Sequence, residues 1–179
     1  SSVWRKVNAA VDPTLIELED GSLRLYFTYQ SDEDEYARMA SAKAEDIFSP
    51  FVYEEGVRLA LEGRHLLDPV IVYFEGMWHH YSWTKFEQLP ELYTNIHSVS
   101  KDGLHFERQE DIIIGVNFIG QAIEEDGELL FYGQDKEIII ASSEDGYNWK
   151  EGESTKTSGG DPGIVKLNDG SYIMLYTRY

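Results

Sequence analysis

The sequence contains no cysteine and no long apolar run, and it does not begin like a signal peptide. Without cysteine there is no disulfide, no thiolate metal site and no cysteine nucleophile. No stretch on the order of 18 apolar residues occurs, so no transmembrane helix is predicted. We expect a soluble chain that is either cytoplasmic or exported with its signal removed.

Basic residues are also scarce, because 15 Lys and Arg face 33 Asp and Glu, for a formal net charge of -18. Such a surface repels phosphate backbones and anionic membranes, so neither nucleic acid nor a membrane is an expected partner. A neutral ligand such as a sugar meets no such repulsion. The acidity could equally serve only solubility, or adaptation to a salty habitat.

The chain carries an internal repeat. Residues 12–29, 68–83 and 161–177 each open with Asp-Pro and an apolar strand, make a turn that contains Gly, and continue as an aromatic-rich strand. Residues 120–132 follow the same pattern without the Asp-Pro. Each passage is typical of a β-hairpin, in which Gly supplies the positive φ that a tight turn needs.

A second repeated motif follows the hairpins. Residues 100–106 and 143–149 both read Ser-x-Asp-Gly-x-x-aromatic, and residues 41–48 resemble a degraded copy that is one residue longer. In such a turn the Asp side chain accepts hydrogen bonds from the amides beyond it, and Gly takes the left-handed position. The motif predicts a structural turn between two strands.

This spacing predicts an all-β protein of the β-propeller type, because four-stranded units of similar length recur along the chain. We expect one domain over 1–179, with antiparallel blades beginning near residues 12, 68, 120 and 161. The prediction is about four four-stranded blades, or five if the chain is part of a larger ring. The strand predicted at residues 3–7 would close the last blade.

The three Asp-Pro pairs place an acid at the same point of three blades. The innermost strand of each propeller blade lines the central channel, so Asp12, Asp68 and Asp161 are predicted to converge near one mouth. Carboxylates that share a cleft split their pKa values, which provides both a base and a proton donor near neutral pH. A purely structural interpretation also exists, since Asp-Pro can simply open a strand.

A second group of residues has the chemistry of a sugar site, with aromatic faces for the ring and polar donors for the hydroxyls. Alternation along the strand puts Trp78 and His80 on one face and Trp83 on the other, so at least one of these sets is expected to pack between blades. The predicted substrate-binding residues are Arg64, His65, Trp78, His80, Trp83 and Gln121.

No metal site and no cofactor is predicted. His79 and His80 are adjacent and point to opposite sides of a strand, and the acidic run at residues 32–35 lacks the glycine of a calcium loop. Nucleophilic triads and phosphate-binding glycine loops are absent from the sequence as well.

Blades that open with Asp-Pro and continue as aromatic hairpins resemble the five-bladed glycosidases. That group includes arabinanases, β-xylosidases, invertases and levansucrases, with the mannoside phosphorylases as relatives. The resemblance implies that Asp12 is the general base or nucleophile. It also implies that Asp68 tunes pKa values and binds substrate hydroxyls.

The chain departs from that family at the third blade, where the general acid is a Glu. The matching region, residues 117–121, contains no carboxylate. Glycoside hydrolysis needs a proton donor to the leaving oxygen, so this departure bears directly on activity. Asp161 of the fourth blade and Glu62 are alternatives, whereas Glu124 and Glu125 lie further along the strand.

Three hypotheses follow. The first is a glycoside hydrolase-like enzyme that acts on a carbohydrate through a central acidic pocket. The second is a propeller that binds carbohydrate without cleaving it, having lost the general acid. The third is a protein-interaction propeller that uses its aromatic and acidic rim. The oligomeric state does not follow from the sequence.

Overall fold

The computed structural model describes residues 7–31, 35–83, 95–116 and 118–178, and within these ranges every regular element is a β-strand. No helix in the described ranges is long and apolar enough to cross a membrane. The strands form three four-stranded antiparallel sheets and one two-stranded sheet. The predicted all-β propeller architecture is confirmed. The closing strand predicted at residues 3–7 falls almost entirely outside the described residues.

Within each sheet the strands lie side by side in chain order. The first sheet is β1–β4, the second β5–β8, the third β9–β12 and the fourth β13–β14. The innermost strands β1, β5, β9 and β13 are neighbours from one sheet to the next. The strands are β1 Val7–Glu17, β2 Leu23–Ser31, β3 Arg38–Ala44, β4 Val52–Leu59, β5 Leu67–Phe74, β6 Met77–Trp83, β7 Asn95–Ser100, β8 Glu107–Arg108, β9 Phe118–Glu125, β10 Glu128–Gln134, β11 Glu137–Ser143, β12 Lys150–Ser158, β13 Gly160–Lys166 and β14 Tyr172–Thr177.

The turns between the first two strands of the sheets have the conformation that their Gly-containing sequences predict. The β9–β10 turn has two residues, Asp126 and Gly127, with φ values of 50° and 82°. Positive φ at both positions is the two-residue hairpin geometry that matches the twist of the strands. The β13–β14 turn is longer, and there the Asp169 carboxylate accepts a hydrogen bond from Ser171 N at 2.9 Å. These local bonds explain why the Asp-Gly pairs recur between strands.

Apolar side chains pack between neighbouring sheets rather than in one central core. Tyr26, Ile71 and Ile96 belong to the cluster between the first and second sheets. Tyr81 and Phe131 belong to the cluster between the second and third sheets. Because each strand presents alternate side chains to two neighbouring sheets, most residues of β2, β6 and β10 are buried on both faces.

A tyrosine on the second strand of a sheet is bonded to the Asp-Gly turn of the next sheet. The Tyr26 hydroxyl donates to the Gly103 carbonyl at 2.7 Å, and the Tyr81 hydroxyl donates to the Gly146 carbonyl at 2.8 Å. A Cβ at Gly103 would lie 2.8 Å from the Tyr26 hydroxyl oxygen, so only glycine fits there. The predicted structural turns are therefore also contacts between blades.

The aromatic residue that closes each turn motif packs on the same tyrosine. The Phe106 ring lies edge-on to Tyr26 with centroids 6.1 Å apart, and the Trp149 ring lies edge-on to Tyr81 at 5.5 Å. Inside each turn the Asp carboxylate accepts hydrogen bonds from two backbone amides. For Asp145 these are Tyr147 N at 2.8 Å and Asn148 N at 2.7 Å. We refer to the tyrosine, the glycine carbonyl and the aromatic together as the tyrosine lock.

Three histidines are buried in the second sheet. His80 is 0% exposed and is bonded to Ser98 Oγ at 2.8 Å and to Ser82 Oγ at 2.5 Å. His97 is also 0% exposed, and its Nε2 lies 3.1 Å from Nδ1 of His79. Burial, followed by the proximity of another histidine, lowers the pKa of His80 and of His97 from 6.5 to about 3.

These pKa values predict that acid destabilises the fold. Unfolding returns both rings to water, where they take up protons below about pH 6.5, whereas the folded rings stay neutral down to about pH 3. The free energy of unfolding should therefore fall as the pH decreases across this window. Urea unfolding of the His97→Gln variant should have a shallower pH slope than the parent, by about one proton per molecule. Identical slopes would contradict the buried neutral state of His97.

Candidate functional site

The three Asp-Pro pairs meet at one cavity, formed where the innermost strands of the four sheets come together. Its volume is about 490 Å³, which is in the range of small-molecule sites. Three of its lining side chains are acidic and none is basic. The lining residues are Asp12, Pro13, Thr14, Leu15, Asp68, Pro69, Val70, Gly120, Gln121, Asp161, Pro162 and Gly163.

An irregularity in the backbone precedes each proline. Asp12, Asp68 and Asp161 have φ values of 55°, 51° and 50°, and each lies at a register shift of its strand. A residue before proline normally stays extended, and positive φ is uncommon for any residue except glycine, although Asp tolerates it. A β-bulge redirects a side chain out of the strand alternation. The same strained bulge therefore occurs three times, at the three cavity acids.

The third inner strand, β9, has a bulge at the same level but no acid there. Ile119 pairs with Gly133 and Gln121 pairs with Tyr132, which leaves Gly120 between them. A Cβ at Gly120 would lie 2.6 Å from the carbonyl oxygen of Pro162 and 2.7 Å from that of Tyr132. Glycine here lets the fourth sheet approach the third. Asn117, which also belongs to the region without a carboxylate, lies outside the described residues.

Hydrogen bonds between sheets hold the bulges in place. Thr14 Oγ1 donates to the carbonyl oxygen of Pro69, which connects the first and second bulges. Gln121 Oε1 accepts from Ile164 N at 2.7 Å, and Gln134 Oε1 accepts from Asp161 N. The cavity walls are therefore crosslinked by side chain to backbone bonds. Neither Thr14 nor Gln134 is predicted as a site residue from the sequence, since neither belongs to a motif that repeats in all three blades.

The electrostatics of the cavity centre on Asp68. Burial is the main cause of its raised pKa, followed by the nearby negative charges of Asp12 and then Asp161, and by a hydrogen bond with Asp12. Together they raise the pKa of Asp68 from 3.8 to about 6. Like charges in one cleft cannot all ionise freely, so one proton is retained among the carboxyls near pH 6.

Five of the six predicted substrate-binding residues do not line this cavity, and Gln121 does. Arg64 and His65 lie between the first and second sheets, where Nδ1 of His65 accepts from Ala37 N at 3.1 Å and its ring packs on Tyr36. Neither residue belongs to the cavity wall.

Trp78, His80 and Trp83 are directed elsewhere. Trp78 borders a separate surface depression with Tyr73, and Trp83 packs against the apolar cluster between the second and third sheets. His80 has no exposed surface, so a ligand cannot touch it in this structure. The predicted alternation of Trp78 and His80 against Trp83 therefore describes packing on the two faces of β6. What distinguishes Gln121 is its position on an innermost strand.

No group of three or more His, Asp or Glu side chains is arranged to hold a metal ion in the part of the chain that the structure describes. The three cavity aspartates are close enough to influence one another electrostatically.

The approach at Gly120 gives a paired prediction. Gly120→Ala should destabilise the protein by about 1–3 kcal/mol, because the methyl group would overlap backbone oxygens that cannot move independently. Gly163→Ala is the matched control on the same cavity wall, since its Cβ would lie 3.7 Å from Gln121 Oε1. The control should stay within about 0.5 kcal/mol of the parent. Urea unfolding measures both, and equal effects would contradict the close contact.

A second prediction concerns Asp68. In the folded protein the pKa of the Asp68 carboxyl is about 6, whereas that of a free carboxyl is 3.8. The protonated carboxyl therefore stabilises the fold at low pH, and this stabilisation is lost as the pH rises through 6. Asp68→Asn tolerates the positive φ and should stabilise the fold by about 1–2 kcal/mol near pH 8, with no gain near pH 4. Glu19→Gln, on an exposed turn, controls for the reduced net charge. A gain at both pH values, or one that matches the control, would refute this assignment.

No known protein family and no curated protein matches the sequence. Solved structures do match the fold. An exo-β-1,3-galactanase from Phanerochaete chrysosporium aligns with a TM-score of 0.72 and 11% identity, over 95% of this chain and 44% of that one. A family 117 glycoside hydrolase from the marine bacterium Zobellia galactanivorans aligns with a TM-score of 0.69 and 16% identity, over 97% and 67%.

A third similar structure is an α-L-arabinofuranosidase from Fusarium graminearum, with a TM-score of 0.67 and 14% identity, over 93% of this chain and 56% of that one. The chain thus spans about half to two thirds of the length of these structures. At such low identity the similarity establishes the fold. The chain has the fold of the β-propeller glycoside hydrolases, which confirms the predicted resemblance at the level of architecture.

Proposed function

We propose that the cavity between the Asp-Pro bulges binds a carbohydrate and that its aspartates cleave a glycosidic bond. The proposal rests on the convergence of Asp12, Asp68 and Asp161 on one open cavity. The fold shared with propeller glycoside hydrolases supports it. We also propose that residues 1–179 form a single domain, as the repeats predict.

Each aspartate has a separate role in the proposed reaction. Asp12 acts as the nucleophile at the anomeric carbon, or as the general base that deprotonates the attacking water, as the family resemblance implies. Asp68 retains a proton to about pH 6 and is hydrogen-bonded to Asp12, so the pair holds one proton that can pass to the leaving oxygen. Asp161 adds the negative charge that helps to raise the pKa of Asp68. Gln121 lines the cavity and contributes a side-chain amide for substrate hydroxyls.

A specific observation favours a second candidate, in which the cavity binds carbohydrate without cleaving it. No glutamate is among the described residues that line the cavity, and β9 supplies Gly120 and Gln121 at the level of the other acids. Without a proton donor separate from the Asp12–Asp68 pair, hydrolysis would lose a large share of its rate. Binding through hydroxyl hydrogen bonds would remain.

A panel of chromogenic arabinosides, xylosides, fructosides, mannosides and galactosides tests the proposal, with oligosaccharide binding measured by calorimetry on the same samples. We expect turnover that declines above about pH 6, where Asp68 loses its proton. Asp12→Asn should reduce turnover by about 100-fold or more while the fold is retained. Glu19→Gln, an exposed substitution outside the cavity, should leave the rate unchanged.

The two candidates give different results in this experiment. Binding without turnover of any substrate would replace the hydrolase proposal with the binding proposal. Turnover that survives Asp12→Asn would contradict the assigned role of Asp12. If the protein neither binds nor cleaves any sugar of the panel, the carbohydrate function is overturned, and the protein-interaction hypothesis remains.

A further inference from the structure

Two aromatic rings border solvent at the turn end of the second sheet. Tyr73 of β5 pairs with Trp78 of β6, and their ring centroids lie 5.0 Å apart with the ring planes tilted by 58°. Tyr73 is 47% exposed, whereas Trp78 is partly buried against the cluster between the first and second sheets. Both residues line a surface depression of about 470 Å³.

The repeated framework does not require these rings. Each of the three four-stranded sheets has an equivalent pair of residues, three positions beyond the first paired residue after the bulge. In the first sheet this pair is Glu17 with Leu23, and in the third sheet it is Glu124 with Leu129. Both leucines are buried and both glutamates are exposed. The exposed ring of Tyr73 therefore has no counterpart that folding of a blade would explain.

The depression is separate from the acidic cavity. It lies between the first and second sheets, where the β1–β2 turn faces residues 101–102 of the Ser-x-Asp-Gly turn. Tyr73 follows Asp68 along β5 at a separation of roughly 15 Å. No described residue lines both the depression and the cavity. The walls belong to two four-stranded sheets and their turns.

Hydrogen-bonding groups of both kinds surround the aromatic pair. Glu17 and Lys101 line the depression, and their side chains make no hydrogen bond or ion pair to any residue in the described ranges. Arg24 is also part of the wall, and its guanidinium is fixed by bonds of 2.9 and 3.1 Å to the Glu54 carboxylate. A free acceptor and a free donor thus stand beside the exposed rings.

The charges around the depression favour a neutral ligand. Asp20 and Asp102 already accept amides of their own turns, at 2.9 and 2.8 Å. The other two acidic side chains of the wall stand against two basic ones, Arg24 and Lys101. A wall without a dominant charge gives no electrostatic preference for a phosphate or for a cation. The concave shape and small volume suit a short chain of rings.

We infer that this depression binds a neutral saccharide chain, with a sugar ring lying on Tyr73 and Trp78. The C–H face of the sugar covers the exposed aromatic surface. Its hydroxyls, which both donate and accept hydrogen bonds, are bound by Glu17 and Lys101. This saccharide site is distinct from the cavity of the proposed reaction and does not depend on what that cavity does.

Nitrogen-15 NMR tests the site, because the indole N–H of Trp78 reports on the depression and the side-chain amide of Gln121 reports on the cavity. The probes are linear oligosaccharides of arabinose, xylose, mannose and galactose, added to the Asp12→Asn protein to limit cleavage. We expect at least one probe to shift the Trp78 signal saturably. A shift at Trp78 without one at Gln121 would support this site and contradict the proposed function, and the reverse result would do the opposite.

Matched variants assign the contact to the tyrosine ring. Tyr73→Glu introduces the residue found at this position in the first and third sheets, so the fold should be retained, and binding at Trp78 should weaken by about tenfold. Tyr73→Phe keeps the ring and should bind within about twofold of the parent. Phe48→Glu makes the same change of charge at a 90% exposed aromatic residue outside the depression, and it should leave binding unchanged.

Three outcomes would overturn the inference. The first is a Trp78 signal that none of the oligosaccharides shifts. The second is equal affinity for the parent and the Tyr73→Glu protein, with circular dichroism confirming that both are folded. The third is a Trp78 shift produced by tetramethylammonium chloride and by none of the sugars, which would identify a cation site instead.

Discussion

The arrangement of the cavity depends on one backbone feature, an aspartate held at positive φ immediately before a proline. At Asp12, Asp68 and Asp161 this conformation coincides with a bulge in the innermost strand of a sheet. An ordinary extended strand would send alternate side chains into the gaps between sheets. The bulge instead brings the three acids to the mouth where the inner strands meet. Three equivalent local distortions thus create one shared site.

That arrangement has an energetic cost, and the neighbouring structure offsets it. Partly buried carboxyls repel one another, which raises the pKa of Asp68 and opposes the folded state when it is ionised. The bulges persist because side chains from adjacent sheets bind their backbone, as Thr14 and Gln134 do. The tyrosine locks then fix the first sheet to the second and the second sheet to the third, and their tyrosines pair with the residues next to the bulges. The same inner hairpins therefore carry both the strain at the cavity and the packing between blades.

Much of the architecture could be predicted from the sequence because the repeats carry local chemistry. Asp-Gly pairs determine hairpin turns, and the spacing of the Asp-Pro pairs predicted which strands lie innermost. The convergence of the three acids followed from that symmetry alone. The aromatic and imidazole residues of β6 lie away from the cavity, and this could not be predicted because periodicity cannot tell which face of a strand meets a cavity and which meets another sheet. His80, which is fully buried beside two serines, illustrates this limit.

The positive φ of the acids and the close approach at Gly120 could not be predicted in this way, since both depend on how separate sheets dock.

Carbon-13 NMR titration of the Asp68 carboxyl tests whether the acids interact within one cavity. The Asp68 pKa should be about 6 in the parent protein and should move toward 3.8 when Asp12 is replaced by Asn. An Asp68 pKa near 3.8 in the parent, or one that Asp12→Asn leaves unchanged, would contradict this interaction.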